Sequence, residues 1–369
     1  MDILFCYYDD VNHDARAYEE LLSLSRIGYV YFVSYTQPKE DMPNVNPVIT
    51  KVQRNYLQFL YTAYRTIKMV KPALVFLHDN YCAPIIRIVR KIAPNTKIIY
   101  DMSELYLGRF NIKRPIWVKI KSILLGIIEY NYLLNTDAVL SPNIERAFIA
   151  KGYYGLKEVP YIFDNIHVVQ STVPKGVVDK YTKVVNRDKF NIIYAGGLDS
   201  AAGRDTVKLM KDVSEMGNRY QLYIAGKYNI KNDIVEQYIT KPNSNIHYLG
   251  MLDRCELRHL YSLCNANVVT FELNTINNIF CASGKFYEGF FEGLPAIVSE
   301  NPPLVRVCTE YGVGVVAFKH DYVRAIKQAE LNNEKLIDNV KKYIKTIDYD
   351  SRIDRLTEFI NKVIMEAEY

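Results

Sequence analysis

Apolar and polar positions along this chain alternate between two periods. Short apolar runs of strand length are followed by stretches in which apolar residues recur every three to four positions. Ile3–Tyr8 reads as a strand, Asp14–Leu24 as a helix and Tyr29–Ser34 as the next strand. Tyr56–Val70 is an amphipathic helix, and Ala73–Leu77 a buried strand ending in His78-Asp79. Ala83–Ile92 is a basic helix, and Lys97–Tyr100 a strand ending in Asp101. Pro115 opens a long helix to about Leu134, a place where proline fits because the first helical N–H has no partner anyway. Asp137–Leu140 is a strand and Asn143–Lys151 a helix.

A second series repeats the theme. Strand Phe190–Ala195 leads into Gly196-Gly197 and a helix near Asp205–Met216. Strand Gln221–Ala225 leads into Gly226-Lys227, and strand Ile246–Leu249 is closed by Gly250. Then come helix Glu256–Cys264, strand Asn267–Phe271, an Asn-rich loop at 274–278, and strands Ala296–Ser299 and Val313–Ala317. Helices fill 321–331, 333–345 and Arg352–Glu366. Such alternation predicts an α/β protein with doubly wound parallel sheets. With 369 residues the chain is too long for one ordinary core. The polar stretch 170–188 is the expected break. The expected domains are 1–170 and 171–345, with a C-terminal helix at 346–369 packing back on the first.

Ligands of open parallel sheets sit beyond the carboxyl ends of the strands. Gly196-Gly197, Gly226-Lys227, Gly250 and Ser283–Glu288 all fall at such ends. The last belongs to Ala282-Ser-Gly-Lys-Phe-Tyr-Glu-Gly-Phe-Phe-Glu-Gly-Leu-Pro-Ala-Ile-Val298, read as a small-residue turn, a short helix and a buried strand. Amides of Ser283 and Gly284 at a helix N-terminus attract phosphate. Lys285 adds a mobile cation. Glu288, on the same helix face, is suited to the hydroxyls of a ribose. The pattern points to a nucleotide-sugar site; the competing reading is a solvated Lys–Glu ion pair.

Composition narrows the picture. Hydrophobic content is 49% and charged content 24%, which excludes a disordered chain. The six cysteines form no Cys-x-x-Cys pair, so neither a disulfide framework nor a zinc site is indicated. The start, Met-Asp-Ile-Leu-Phe, reads as a strand rather than a signal peptide, and a cytoplasmic setting is expected. Charge is uneven. Arg54 to Lys121 holds 13 Lys/Arg against 3 Asp/Glu, and the remainder holds 33 against 38. This basic stretch points to an anionic partner or, alternatively, to a solvated helical face. Nucleic acid is not expected, because the 31 tyrosines do not interleave with the basic run as a stacking platform.

With these residues in place, the chain resembles the GT-B glycosyltransferases, and within them the retaining family 4 of bacterial polysaccharide assembly. The matching residues are Lys285-Phe-Tyr-Glu288 with Gly293-Leu-Pro-Ala-Ile-Val298, Tyr194-Ala-Gly196, Ile224-Ala-Gly226, His78-Asp79, Asp14-Ala-Arg16 and Asp101-Met-Ser103-Glu104. The resemblance implies two Rossmann-like domains facing a central cleft, with the acceptor on the first and the nucleotide sugar on the second. It implies a hexose transfer with retention, from a UDP-sugar by preference, to a lipid-linked glycan in capsule, exopolysaccharide or lipopolysaccharide assembly. No cofactor or metal is expected. His78, Asp79, Glu104 and Lys285 are then the catalytic candidates. Arg16, Gly196, Gly197, Arg204, Gly226, Lys227, Tyr248, Gly250, Met251, Leu252, Phe280, Ser283, Gly284, Lys285 and Glu288 are the donor-binding ones. The base is expected near Tyr248–Leu252.

The chain also departs from the family. Many members pair two glutamates eight positions apart; Glu288 is the second, and the first position holds Phe280, which would line the sugar pocket. The phosphate-binding Arg and Lys of the family are here Gly197 and Ala202, and a family histidine is Ser103. Arg204 and Lys285 are expected to supply the charge, with Arg16 reaching across the cleft. These departures leave a non-catalytic subunit that binds glycan or a partner transferase as an alternative. A sugar-nucleotide 2-epimerase, which shares the fold, is a weaker one, because it would need more acidic and histidine residues converging in the cleft. The helix from Pro115 combines Trp117, lysines and an apolar face. It is expected either to lie on an anionic inner-leaflet membrane surface or to pack into the core.

Overall fold

The computed structural model describes residues 1–50, 55–106, 116–166, 173–198, 204–228, 233–241, 244–349 and 351–365. Among these, the chain forms two compact units. The first takes the residues up to Asn165 and those from Asp348 onward, and the second takes Ile166–Ile347.

The first unit runs β1 (Asp2–Tyr7), α1 (Ala15–Ile27), β2 (Tyr29–Ser34), β3 (Val45–Ile49), α2 (Tyr56–Val70), β4 (Leu74–His78) and α3 (Ala83–Ile92). It continues through β5 (Lys97–Asp101), α4 (Ile116–Tyr132), β6 (Ala138–Ser141), α5 (Ile144–Tyr154) and β7 (Tyr161–Ile162). The strands pair in parallel in the order β3-β2-β1-β4-β5-β6-β7. Ile3–Cys6 of β1 and Leu74–Leu77 of β4 are fully buried, as central parallel strands covered on both faces must be. Helix starts are capped from the sequence. Asp14 accepts from Arg16 and Ala17 at α1, Asn55 from Gln58 at α2, and Asn143 from Arg146 at α5. Two strands escape the sequence pattern: β3 holds Pro47 at a sheet edge, and β7 has only two residues.

The second unit runs α6 (Lys175–Val184), β8 (Phe190–Ala195), α7 (Thr206–Glu215), β9 (Tyr220–Ala225), α8 (Asp233–Ile239), β10 (Ile246–Gly250), α9 (Arg254–Ser262) and β11 (Ala266–Val269). It continues through α10 (Ile276–Ile279), α11 (Gly284–Phe291), β12 (Ala296–Val298), α12 (Pro302–Tyr311), β13 (Gly314–Val316), α13 (Tyr322–Leu331) and α14 (Asn333–Ile344). The order is β10-β9-β8-β11-β12-β13, again parallel throughout. The stretch read as a polar break carries α6, and the Asn-rich loop carries α10. Helix α12 begins on Pro302-Pro303, which punctuated the sequence but suit a first helical turn.

The last helix, α15 (Arg352–Met365), belongs to the first unit. Leu356, Ile360 and Val363 share a core with Leu21 and Leu24 of α1. Arg352 forms a buried ion pair with Glu19. The Phe163 ring meets two guanidinium groups, Arg16 at 4.9 Å and Arg352 at 3.9 Å from its centre.

Helix α4 both packs and stays exposed. Leu125 and Glu129 are buried, and Ile128 packs against the core. Ile116, Ile120, Leu124 and Ile127 are all more than half exposed on the other side. The side chain of Trp117 lies outside the described residues, as do Lys113, Arg114 and Pro115. Glu129 accepts from Tyr100 at 2.5 Å and from Tyr154 at 2.6 Å. Burial pushes its carboxyl up to about 7, against the two hydroxyl donors. The folded protein therefore holds this proton more tightly than the unfolded chain, and stability falls as pH rises through that window. Relative to Glu129→Gln, the wild type should lose about 1.4 kcal/mol per pH unit between roughly pH 5 and 7. Urea unfolding of both proteins across that range checks it.

Candidate functional site

In both sheets the strand order reverses once, between β1 and β4 in the first unit and between β8 and β11 in the second. Crossovers leave on opposite faces there, which opens a crevice at the carboxyl edge. The candidate residues fall at these two edges.

In the second unit, three strand-end loops are tied together through their backbones. Gly196 N–H donates to Ala225 O at 2.8 Å, Leu198 N–H to Lys227 O at 2.9 Å, and Gly226 N–H to Gly250 O at 2.8 Å. Tyr194 OH donates to Gly197 O at 3.1 Å, and Tyr248 OH to Gly226 O at 3.0 Å. Gly226 has φ +158, and a Cβ there would lie 1.9 Å from Gly196 O. Only glycine fits this position. Gly250 closes β10 at φ +73, followed by exposed Met251 and half-buried Leu252. Lys227 is exposed. Ala202 lies outside the described residues.

Helix α11 begins at the same edge. Its N-cap, Ser283, makes no side-chain cap bond. No described group accepts from the amides of Ser283, Gly284 or Lys285. These free donors and the helix dipole make an anion site in waiting. Lys285 Nζ donates to both oxygens of Glu288, at 2.9 and 2.8 Å. The ion-pair reading of these residues is thus physically present as well, with Lys285 42% and Glu288 13% exposed in their side chains. The helix stops where Gly293, at φ +82, lets Leu294 N–H return to Gly289 O.

What fixes α11 is a residue the sequence reading passed over. Asn267 of β11 is buried and donates to Lys285 O at 2.8 Å. A Cβ at Gly289 would lie 2.5 Å from its Nδ2, so the glycine is what lets helix and strand approach. The only hint in the sequence is an Asn inside the apolar run Ala266–Val269. Arg204 stacks 3.8 Å from the centre of the Phe271 ring, just beyond β11. Phe271 N–H is held by Ser299 Oγ at 2.9 Å. Asp205, next to Arg204, accepts from Tyr322 OH at 2.9 Å and pairs with His320 at 2.7 Å. Phe280 ends α10 and is half-buried.

At the edge of the first unit the structure corrects one expectation. Arg16 does not reach outward. It is 3% exposed and bound to Asp101 at 2.7 and 2.5 Å, to Phe163 O and to Asn165 Oδ1. A buried guanidinium satisfied on this many sides would lose several strong bonds by leaving. His78 is also enclosed, 2% exposed, with Nδ1 donating to Glu20 at 2.6 Å. Burial works against its charge, but the Glu20, Asp101 and Asp14 carboxylates outweigh it and push its pKa up to about 10. Burial also opposes the Asp101 carboxylate, yet Arg16 and His78 hold it below the usual range. Glu20, His78 and Asp101 offer ligand-type atoms within 4.8 Å of one another, and Arg16 and the His78–Glu20 bond already occupy them. Asp79 sits at φ +70, unusual for a non-glycine residue, and accepts from Tyr106 OH at 2.6 Å. Glu104 is partly exposed and pairs with Arg146 at 3.4 Å.

No family model and no curated protein matches the chain. Solved structures do. Sucrose-phosphate synthase from Thermosynechococcus elongatus superposes with a TM-score of 0.76 at 14% identity, covering 99% of each chain. WaaG, a glycosyltransferase of lipopolysaccharide biosynthesis, gives 0.71 at 11%, covering 97% of this chain and 99% of its own. HepE of Anabaena, in complex with UDP-glucose, gives 0.71 at 13%, covering 98% and 100%. The chain has the GT-B fold, with two parallel Rossmann-like sheets.

Gly226→Ala should push the Gly196-Gly197 loop off its position and destabilise the protein by at least about 2 kcal/mol. The midpoint of thermal or urea unfolding checks this.

Proposed function

We propose that the chain is a glycosyltransferase. It takes a hexose from a nucleoside-diphosphate sugar, with UDP the favoured nucleotide, and moves it with retention to a glycan carried on a lipid diphosphate. The reading rests on one observation above the rest: α11 starts at the carboxyl edge of a parallel sheet with amides that no described group accepts from, Lys285 in its first turn and Glu288 one turn further on the same face. The GT-B fold and the UDP-glucose held by HepE support it.

The chemistry follows from these groups. As the bond from C1 to the diphosphate breaks, charge grows on the leaving oxygens. The α11 amides and Lys285 stabilise it, and Arg204 adds a second cation. Lys285 can turn to phosphate at little cost, because a partly exposed ion pair is worth at most about 1 kcal/mol. Glu288 is then released to accept from the ribose hydroxyls. The acceptor oxygen bonds to C1 on the face the diphosphate leaves, and a diphosphate oxygen takes the acceptor's proton. No metal or cofactor takes part. The base lies against the Tyr248–Leu252 backbone, and Gly226 and Lys227 line the diphosphate loop. Asp79 and Glu104 serve sugar and acceptor from the first unit, and His78, enclosed and bonded to Glu20, touches neither.

Phe280 and Gly197 favour a second reading, a non-catalytic GT-B subunit that binds glycan or a partner transferase. Nucleotide binding separates the two. UDP should raise the melting temperature of the wild type more than GDP, ADP or CMP does, and Glu288→Ala should abolish that shift. A wild type unmoved by every nucleotide would hand the field to the second reading.

The acceptor's lipid implies peripheral attachment at an anionic cytoplasmic membrane face. No helix among the described residues is long and apolar enough to cross a membrane. The outer face of α4 carries exposed Ile116, Ile120, Leu124 and Ile127 beside Lys121, and α2 and α3 add exposed Leu57, Arg65, Lys68, Arg87 and Lys91. Apolar side chains among cations suit an anionic interface. Replacing Lys121 by Ser and Leu124 by Asn should cut co-sedimentation with phosphatidylglycerol vesicles several-fold. Unchanged sedimentation would remove the membrane from the reading.

A further inference from the structure

The His78 ring is fixed on every side, and the fixing has a direction. Nδ1 faces inward, 2.6 Å from Glu20 Oε2 and 3.3 Å from Asp101 Oδ2. Nε2 faces the other way, 3.8 Å from Asp14 Oδ2. The Tyr7 ring meets the imidazole edge-on at 4.8 Å, and Tyr7 OH donates to the same Asp14 oxygen at 3.0 Å. The groups facing His78 are thus Asp14, Arg16 and Glu20 from α1, Tyr7 from β1 and Asp101 from β5. Glu20 and Asp101 are fully buried, and Arg16 and His78 nearly so. Asp14, with its side chain 33% exposed, is the member of this set that reaches solvent.

A second observation at the same strand end points to a polar ligand. Asn80, two positions after His78, is fully buried, and neither end of its carboxamide has a partner among the described residues. The residue between them, Asp79, is held at φ +70. Strained backbone clusters at ligand sites, and a buried polar group without a partner calls for one.

We propose that Asp14 is a sugar-hydroxyl ligand of the first unit, and that Glu20 is its positioning residue, acting through His78. Glu20 anchors Nδ1, so Nε2–H is kept toward Asp14. Tyr7 and the α1 amides of Arg16 and Ala17 hold the carboxylate from its other sides. A carboxylate fixed by donors in this way accepts a hydroxyl without reorganising. The proposal rests on the glycosyltransferase reading for its ligand class. The hydroxyl comes either from the donor hexose or from the acceptor glycan.

The test uses the full chain and Asp14→Asn, Glu20→Gln and the double variant. Calorimetric titration with UDP and with UDP-glucose isolates the hexose contribution on the donor. Saturation-transfer NMR with free hexoses, in protein saturated with UDP, isolates the acceptor side. NMR titration of the His78 Cε1–H follows the anchor directly. Asp14→Asn should weaken either the UDP-glucose preference over UDP or the hexose signal by about tenfold, leaving UDP affinity itself unchanged. Glu20→Gln should produce the same loss and move the His78 titration downward. The double variant should lose no more than Asp14→Asn alone, because both act on one contact. Full additivity, an unmoved His78 titration, or wild-type sugar binding in Asp14→Asn would each overturn the proposal, as would absence of any hexose signal in the wild type. A wild type that binds hexose but no UDP would instead defeat the donor reading. The hexose and His78 arms would still decide the role of Asp14.

Discussion

A parallel strand can pair with its neighbour only after the chain has crossed back over one face of the sheet. Both sheets accept that constraint at every pairing. Each strand therefore delivers its C-terminal loop to the same edge, and chemistry can be assembled from residues far apart in sequence. Gly196, Gly226 and Gly250 end neighbouring strands, and their loops are bound to one another through backbone groups. His78 and Asp101 meet in the same way at the ends of β4 and β5.

Helix α1 shows how such an edge is kept in order. Within two turns, its N-cap included, it supplies Asp14, Arg16, Glu19 and Glu20, all of them paired. Arg16 neutralises Asp101, and Glu20 anchors His78. Glu19 receives Arg352 from α15, and the Phe163 ring contacts both guanidinium groups. Buried charges of this number persist only when each is paired and hydrogen-bonded, so removing one leaves its partner stranded. The C-terminal helix thus has an electrostatic tie to the element that holds the candidate edge.

Helix α11 makes the complementary case. Lys285 and Glu288 form an ordinary ion pair, and by itself that pair says little about function. Its setting says more. Asn267 ties the helix backbone to β11, Gly289 allows the close approach, and the helix N-terminus carries free amides. A frame that fixes the backbone beneath a cation and a carboxylate is what phosphate and ribose recognition asks of a protein.

The elements with strong periodicity were readable in the chain alone. Tyr29–Ser34, Tyr56–Val70, Ala83–Ile92 and Phe190–Ala195 have the bounds that their apolar patterns indicate, because burial on a known face leaves its period in the sequence. The loops at strand ends were readable for the same reason, since glycine marks backbone that no side chain fits. Elements that bury little left no such trace: edge strands β3 and β7, the four-residue α10, and α12 behind its two prolines. Contacts between distant residues left none either. Nothing in the sequence says that Arg16 belongs to Asp101 rather than to a phosphate, that Glu20 turns His78, or that Asn267 seats α11. Those pairings depend on which strands lie side by side, and only the folded sheet brings residues 16, 20, 78 and 101 within hydrogen-bonding reach.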